Sequence, residues 1–328
     1  MNKINDAPLL DVRNLRMHFP LMKGLFGQQY ASVKAVDGVS LSVPRGQTLG
    51  LVGESGCGKT TIGKCILNVC KATGGEILYQ GRDLTKMSKR EFREVRRDLQ
   101  LIFQDPYGSI DPRQSAASVL KEALTADGKR RASSEVKSKI NDLLETVGLS
   151  AELGERFAHE MSGGQRQRLG IARALACDPK LIVCDEPVSA LDVSIQAQII
   201  NLFEELKENL SLTYIFIAHD MAVVRHIADT IAVMYLGRIV EKADAVSLCK
   251  NPKHPYTKAL LSAIPVVDYH REQSRTRIVL DGEVPSPINV PPGCHFHPRC
   301  RYSTDECKKA MPQLRDTENG HFVACHNL

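Results

Sequence analysis

An α/β fold built on a mixed sheet is predicted by three features of this 328-residue sequence. Residues 48–53 (TLGLVG), 181–185 (LIVCD) and 214–218 (YIFIA) are continuous apolar runs, as strands buried on both faces should be, and each is followed by polar chemistry. Between them, apolar residues recur at helical spacing. Near the first run Val39, Leu41 and Val43 alternate with Ser40 and Ser42, and IAVMYLGRIVEKA around Gly237 has the pattern of a hairpin, so antiparallel strands border the parallel ones.

Taken in chain order, the run at 48–53 leads through a glycine-rich turn into a helical stripe of Ile62, Ile66 and Val69. Residues 86–97 (KMSKREFREVRR) hold six basic and two acidic side chains, the pattern of a solvated amphipathic helix. The segment lacks the interleaved aromatics of a nucleic-acid surface. LQLIF at 99–103 is the next strand, and 106–177 lacks strand signals, predicting a helical insertion between two halves of the sheet. Within it Ile140, Leu143, Leu144 and Val147 form a stripe that Gly148 closes as a C-terminal cap. A second stripe of Ile195, Ile199, Leu202, Phe203, Leu206 and Leu210 separates the last two buried strands. After His254-Pro255-Tyr256 the patterning weakens, and DGEVPSPINVPPG at 281–293 is an extended proline-rich linker into a cysteine cluster. The expected division is 1–263 for the main domain, with its helical part at about 106–177, and 264–328 for a small appended module.

Composition excludes several classes. With 43 Lys and Arg against 38 Asp and Glu, the net charge of +5 is too balanced for a protein that coats nucleic acid. No stretch approaches the roughly 18 to 20 apolar residues of a membrane span, and MNKINDAPLLDVRN has no apolar h-region. A chain in the reducing cytosol is therefore expected. Of ten cysteines, Cys57, Cys65, Cys70, Cys177, Cys184 and Cys249 stand in apolar surroundings as small hydrophobes, and four crowd into the tail.

Gly53-Glu54-Ser55-Gly56-Cys57-Gly58-Lys59-Thr60, with Thr61 next, satisfies the P-loop pattern between strand and helix. Its glycines let successive N–H groups and the helix N-terminus face phosphates, Lys59 supplies charge to the β and γ oxygens, and Thr60 offers its hydroxyl to Mg²⁺. Asp185 and Glu186 end an apolar strand with two carboxylates, one suited to holding Mg²⁺ and one to activating water. His219 ends the IFIA run, where its imidazole could meet a γ-phosphate.

Met161-Ser162-Gly163-Gly164-Gln165 precedes the carboxylate pair, with 19 residues between Gln165 and Asp185. With the P-loop and His219, this combination resembles the ATP-binding subunits of ABC transporters. The resemblance implies an ABC-type nucleotide-binding domain of the P-loop NTPase class. It also implies two such domains packed head to tail, with Ser162, Gly163, Gly164 and Gln165 closing on the partner's ATP. It assigns Gln104 to sensing Mg²⁺ and the attacking water, Asp192 to the loop that crosses the dimer, and Tyr30, 29 residues before Lys59, to stacking on adenine. His18 or Phe19 is the alternative for the base. The family's usual leucine before SGGQ is Met161 here, a volume-conserving exchange.

GESGCGKTT, FQDPYGSIDPR, SGGQRQR, DEPVSALDVS, HPYTKALLSAIP and PPGCHFHPRC narrow the resemblance to dipeptide and oligopeptide permease ATPases, most closely the second ATPase of a dipeptide permease. That implies two membrane permease subunits, an extracytoplasmic solute-binding protein, a related ATPase partner and a place on the cytoplasmic face of the inner membrane. Residues 105–113 would border the groove for a membrane subunit's coupling helix. Similar systems carry nickel, haem or other small solutes, and a soluble, non-transport ABC ATPase is the rival class. Cys294, Cys300, Cys307 and Cys325 have the spacing C-x5-C-x6-C-x17-C, which leaves a cluster, zinc or free thiols open. The resemblance implies a four-iron four-sulfur cluster there. His295, His297, His321 and His326 are expected at the surface.

Overall fold

The computed structural model describes residues 7–23, 28–264 and 277–328. It divides into two compact units, Met1–Lys86 with Ala218–Leu328, and Met87–Ile217. Among the described residues no helix is long and apolar enough to cross a membrane.

In the first unit β1 (Leu10–Lys23) pairs antiparallel with β2 (Gln28–Val43), and on its other side with β4 (Gly74–Tyr79), which carries β5 (Arg82–Asp83). The alternation read in the sequence turns Val39, Leu41 and Val43 inward. A second set of strands is mixed. There β3 (Thr48–Val52) runs parallel to β9 (Thr230–Tyr235), which makes an antiparallel hairpin with β10 (Arg238–Asp244) through Leu236 and Gly237, both at positive φ. All five residues of β3 are buried, in keeping with its unbroken apolar run.

Helix α1 (Lys59–Ile66) buries Ile62 and Ile66 as expected. The stripe does not reach Val69, which is 66% exposed, because Leu67 caps the helix and Asn68 takes φ +52°. The unit also holds α8 (Met221–Ile227), α9 (Ala245–Lys250) and α10 (Pro255–Ser262). Residues 277–293 form no strand or helix, as an extended linker should. Beyond it, a 3-10 turn at His297–Arg299 and α11 (Asp305–Lys309) lead to β11 (Arg315–Glu318) and β12 (His321–Val323). The last strand pairs antiparallel with β10. The tail thus extends the sheet of the first unit, a pairing the weak patterning after residue 256 did not foretell.

In the second unit β6 (Leu99–Ile102), β7 (Leu181–Asp185) and β8 (Thr213–Ala218) lie parallel, the last two buried throughout. Before them α2 (Lys89–Val95) buries only Phe92 and Val95, so the basic run is a solvated face. Between β6 and β7 the chain is helical: α3 (Pro106–Ser109), α4 (Ala116–Thr125), α5 (Ser133–Thr146), two 3-10 turns and α6 (Gly163–Leu175). Gly148, at φ +71°, follows the end of α5 as the cap pattern requires. Helix α7 (Val193–Leu210) lays Phe203 edge-on against Tyr214 and Phe216, at 5.5 and 5.7 Å. Its stripe stops short of Leu210, which is 50% exposed at the last turn.

Candidate functional site

The P-loop joins β3 to α1 in the first unit, and its glycines are there for space as much as for flexibility. A Cβ on Gly58 would lie 2.0 Å from the Ala35 carbonyl oxygen, at φ +109°, and one on Gly53 would lie 2.2 Å from that of Met234. The buried Lys59 ammonium donates to the carbonyls of Gly53 (2.7 Å) and Glu54 (3.1 Å), so its charge sits inside the loop. The Cys57 thiol is also buried, and burial raises its pKa against the pull of Lys59. Thr60 and Thr61 open α1, half-buried, while Ser55 and Gly56 are exposed. His219 is exposed just past β8, where Asp220 caps α8 by accepting from the Ala222 N–H. Tyr30 stands 62% exposed on β2. Of the alternatives near it, His18 is bonded to Asp37 at 3.1 Å, and Asp37 also binds Arg238.

The second unit carries the other candidates. Asp185 is buried at the end of β7. Glu186 follows at φ +47°, held by its N–H to the Ile217 carbonyl (2.9 Å), and its Oε2 accepts from Gln104 Nε2 at 3.0 Å. Glu186 thus stands at positive φ with its carboxylate tied to an amide 82 residues away. Ser162 and Gln165 form a capping box at the start of α6, each satisfying the other's backbone N–H. Asp192 caps α7 by accepting from the Ile195 N–H and the Ser194 hydroxyl, and these bonds lower its pKa. Gly163 and Gly164 pack this helix start against Leu191 and Ile195 beside the Asp192 cap. The structure therefore joins Gln104 with Glu186, and the SGGQ turn with the Asp192 loop.

Residues 36–189 match the family described as ABC transporter, and residues 240–307 match the oligopeptide/dipeptide transporter C-terminal region. Over 327 residues the chain is 49% identical to the oligopeptide transport ATP-binding protein AppF of Bacillus subtilis, covering 99% of both chains. The chain belongs to the ABC transporter ATP-binding family, in its oligopeptide/dipeptide branch. The dipeptide transport ATP-binding protein DppF of Escherichia coli is 47% identical over 318 residues, 97% of this chain and 94% of that one. Among solved structures, the dimeric bacterial ABC transporter cassette MJ0796 superimposes with a TM-score of 0.64 at 24% identity, over 72% of this chain and 98% of that one.

The C-terminal region of this ABC ATPase makes contacts that its sequence pattern did not reveal. Arg299 makes a bidentate ion pair with Glu54 of the P-loop, and the Glu54 N–H donates to the Tyr256 hydroxyl. Buried Glu241 accepts from the N–H groups of Lys253 and His254 and pairs with His321 Nε2 at 2.7 Å. His321 is thus buried, not superficial: its ring partners a carboxylate that is shielded from bulk solvent. His295 is half-buried as well, and burial pulls its pKa down to about 4. The four tail thiols influence one another, and burial with that repulsion pushes Cys294 up to about 11. Among the described residues, however, no three His, Cys, Asp or Glu side chains are arranged to hold a metal ion, so the tail as placed is not a ready ligand set.

Proposed function

We propose that this chain is the ATP-binding and hydrolysing subunit of an ABC importer that drives uptake of dipeptides or oligopeptides across the cytoplasmic membrane. The observation that carries the reading is the end-to-end match to an oligopeptide transport ATP-binding protein, cassette and C-terminal region together. In this reading 1–263 is the nucleotide-binding domain and 264–328 the branch-specific extension. The boundary itself abuts residues 265–276, outside the described ones.

The loop of residues 53–60, with Lys59, binds the ATP phosphates, and Tyr30 stacks on the base. Thr60, Asp185 and Gln104 offer the hard oxygen donors that suit Mg²⁺, which neutralises phosphate charge when bound. Glu186 takes the proton of the attacking water, Gln104 holds Glu186 in place, and His219 donates toward the γ-phosphate. Ser162 to Gln165 and Asp192 serve the ATP of a related second subunit packed head to tail. Two membrane subunits, touched through 105–113, and a solute-binding protein complete the assembly, which places this chain peripherally on the cytoplasmic face.

An iron–sulfur cluster on Cys294, Cys300, Cys307 and Cys325 is supported by the four thiols in mutual electrostatic reach and opposed by their placement. Iron and zinc analysis of anaerobically purified protein decides it, and neither metal at stoichiometric level would end the idea.

The function is tested with Glu186→Gln, co-purified in detergent with ATP and Mg²⁺. We expect ATP binding to persist, turnover to fall about 100-fold or more, and two membrane chains and a second ATPase to accompany it. Retained turnover would remove Glu186 from its role. Recovery of soluble chains, ribosomes or DNA-bound proteins alone would defeat the importer reading.

A further inference from the structure

The second residue of the P-loop carries a charge that is wrong for its task. Glu54 places a carboxylate in a loop whose amides and lysine are there to attract phosphate, and like charges so close oppose binding unless one is neutralised. Arg299 does this from 245 residues away: Nη1 and Nη2 reach the two carboxylate oxygens at 2.7 and 3.1 Å, and the arginine side chain is only 8% exposed. A bidentate guanidinium fixes geometry as well as charge.

The rest of Glu54 is held too. Its N–H donates to the Tyr256 hydroxyl at 2.8 Å, and its carbonyl accepts from Lys59 Nζ and the Cys57 N–H. Tyr256 belongs to the HPYT stretch, a motif the ATPase chemistry leaves without a task. His254 of that stretch caps α10, its Nδ1 accepting from the Tyr256 N–H, which sets the tyrosine at the helix start. Arg299 is set with equal care. Its N–H donates to the Phe296 carbonyl, and the buried Phe296 ring packs on Tyr256 and Tyr235 with centroids 5.4 and 5.2 Å away. Tyr235 lies 4.8 Å from Tyr256, so three rings form a closed cluster beneath the loop. An arginine on a mobile surface tail would give little; one anchored on a buried aromatic triangle is rigid.

We propose that Arg299 and Tyr256 are positioning residues for the phosphate-binding loop, by which the C-terminal region sets the loop's affinity for the triphosphate. Tyr256 fixes the Glu54 amide at the entry of the loop, and Arg299 cancels the Glu54 charge and pins its side chain. The proposal rests on the P-loop reading above.

It is tested by titrating the full-length chain with ATP in the absence of hydrolysis. Arg299→Ala exposes an uncompensated carboxylate and should raise the ATP dissociation constant about tenfold. Adding Glu54→Gln to that variant removes the stray charge and should bring the constant back to within about threefold of wild type. Raising ionic strength should narrow the gap between Arg299→Ala and wild type, because the exposed charge is screened. A purely structural role predicts neither recovery nor screening. Tyr256→Phe, which keeps the ring triangle and removes the acceptor, should weaken ATP about threefold and supplies the reading if Arg299→Ala folds poorly. Arg299→Ala binding ATP within twofold of wild type, or no recovery with Glu54→Gln, overturns the proposal. Wild-type chain that binds no ATP would instead defeat the P-loop reading, and this one with it.

Discussion

Individual residues carry requirements that no neighbour can supply. Gly58 needs both φ +109° and the space that the Ala35 carbonyl leaves, so Gly58→Ala cannot be absorbed by side-chain movement. ATP binding, measured by titration, should be lost in that variant, and retained affinity would mean the loop can rebuild itself around a methyl group. His254 imposes a different demand. It is fully buried and accepts from the Tyr256 N–H, which requires a neutral ring, and burial pulls its pKa down to about 3. Because the folded value lies below the unfolded one of about 6.5, the unfolded chain binds the extra proton. The stability is complete above about 6.5 and is lost as pH falls toward 3, by up to about 1.4 kcal/mol per pH unit. His295, pulled down to about 4, acts in the same direction. Denaturant unfolding at pH 7, 6 and 5 should show this fall, and His254→Asn, whose amide oxygen can also cap the helix, should flatten it. Equal pH slopes in both chains would remove His254 from the account.

Helix caps are where local structure and proposed function meet. Ser162 has a structural task already, since its oxygen accepts from the Gln165 N–H and Gln165 answers in return. Ser162→Ala should therefore cost about 1 kcal/mol whatever the signature does. Ser162→Asp separates the two tasks: a carboxylate caps a helix and suits its dipole, but repels a triphosphate. We expect an unchanged melting temperature and loss of ATPase activity in the assembled transporter; full activity would leave Ser162 a cap and nothing more. The motif was legible in the sequence because SGGQ has the pattern of a helix cap as well as of the resemblance's signature. The buried runs of β3, β7 and β8 were equally legible because burial on both faces leaves no polar residue to confuse the pattern. By contrast β11 is RDTE, exposed along most of its length, with no alternation to announce a strand. Val69 kept the helical spacing but lies past Asn68, whose left-handed turn no periodicity reports. The Arg299–Glu54 pair joins two ordinary charged residues far apart in sequence, and only folding makes them partners.

At the scale of the whole molecule, the tail's attachment within its own unit decides whether those long-range contacts exist. Strand β12 pairs with β10 at Glu241↔Val323 and Lys242↔Phe322, and the Ala324 N–H donates to the Val240 carbonyl just beyond, a short ladder for holding the end of the chain. What strengthens it is Glu241, wholly buried, whose carboxylate joins the backbone at Lys253 and His254 to His321 of β12. One side chain thereby fastens the tail strand and the approach to α10 together. Glu241→Ala would leave the half-buried Lys253 N–H, the buried His254 N–H and the buried His321 ring without this acceptor, a loss of about 3 kcal/mol or more. Glu241→Gln keeps the amide oxygen as an acceptor and should cost less. We expect Glu241→Ala to speed tryptic cleavage in the tail, at Lys308, Lys309 and Arg315, several-fold over wild type, with Glu241→Gln between them. Because Phe296 and Arg299 lie on that same tail, Glu241→Ala should also weaken ATP binding in the direction of Arg299→Ala, although Glu241 touches no part of the P-loop. Faster proteolysis with unchanged ATP affinity would show that the aromatic triangle holds Arg299 without help from the strand, whereas unchanged proteolysis would show that the short ladder suffices on its own.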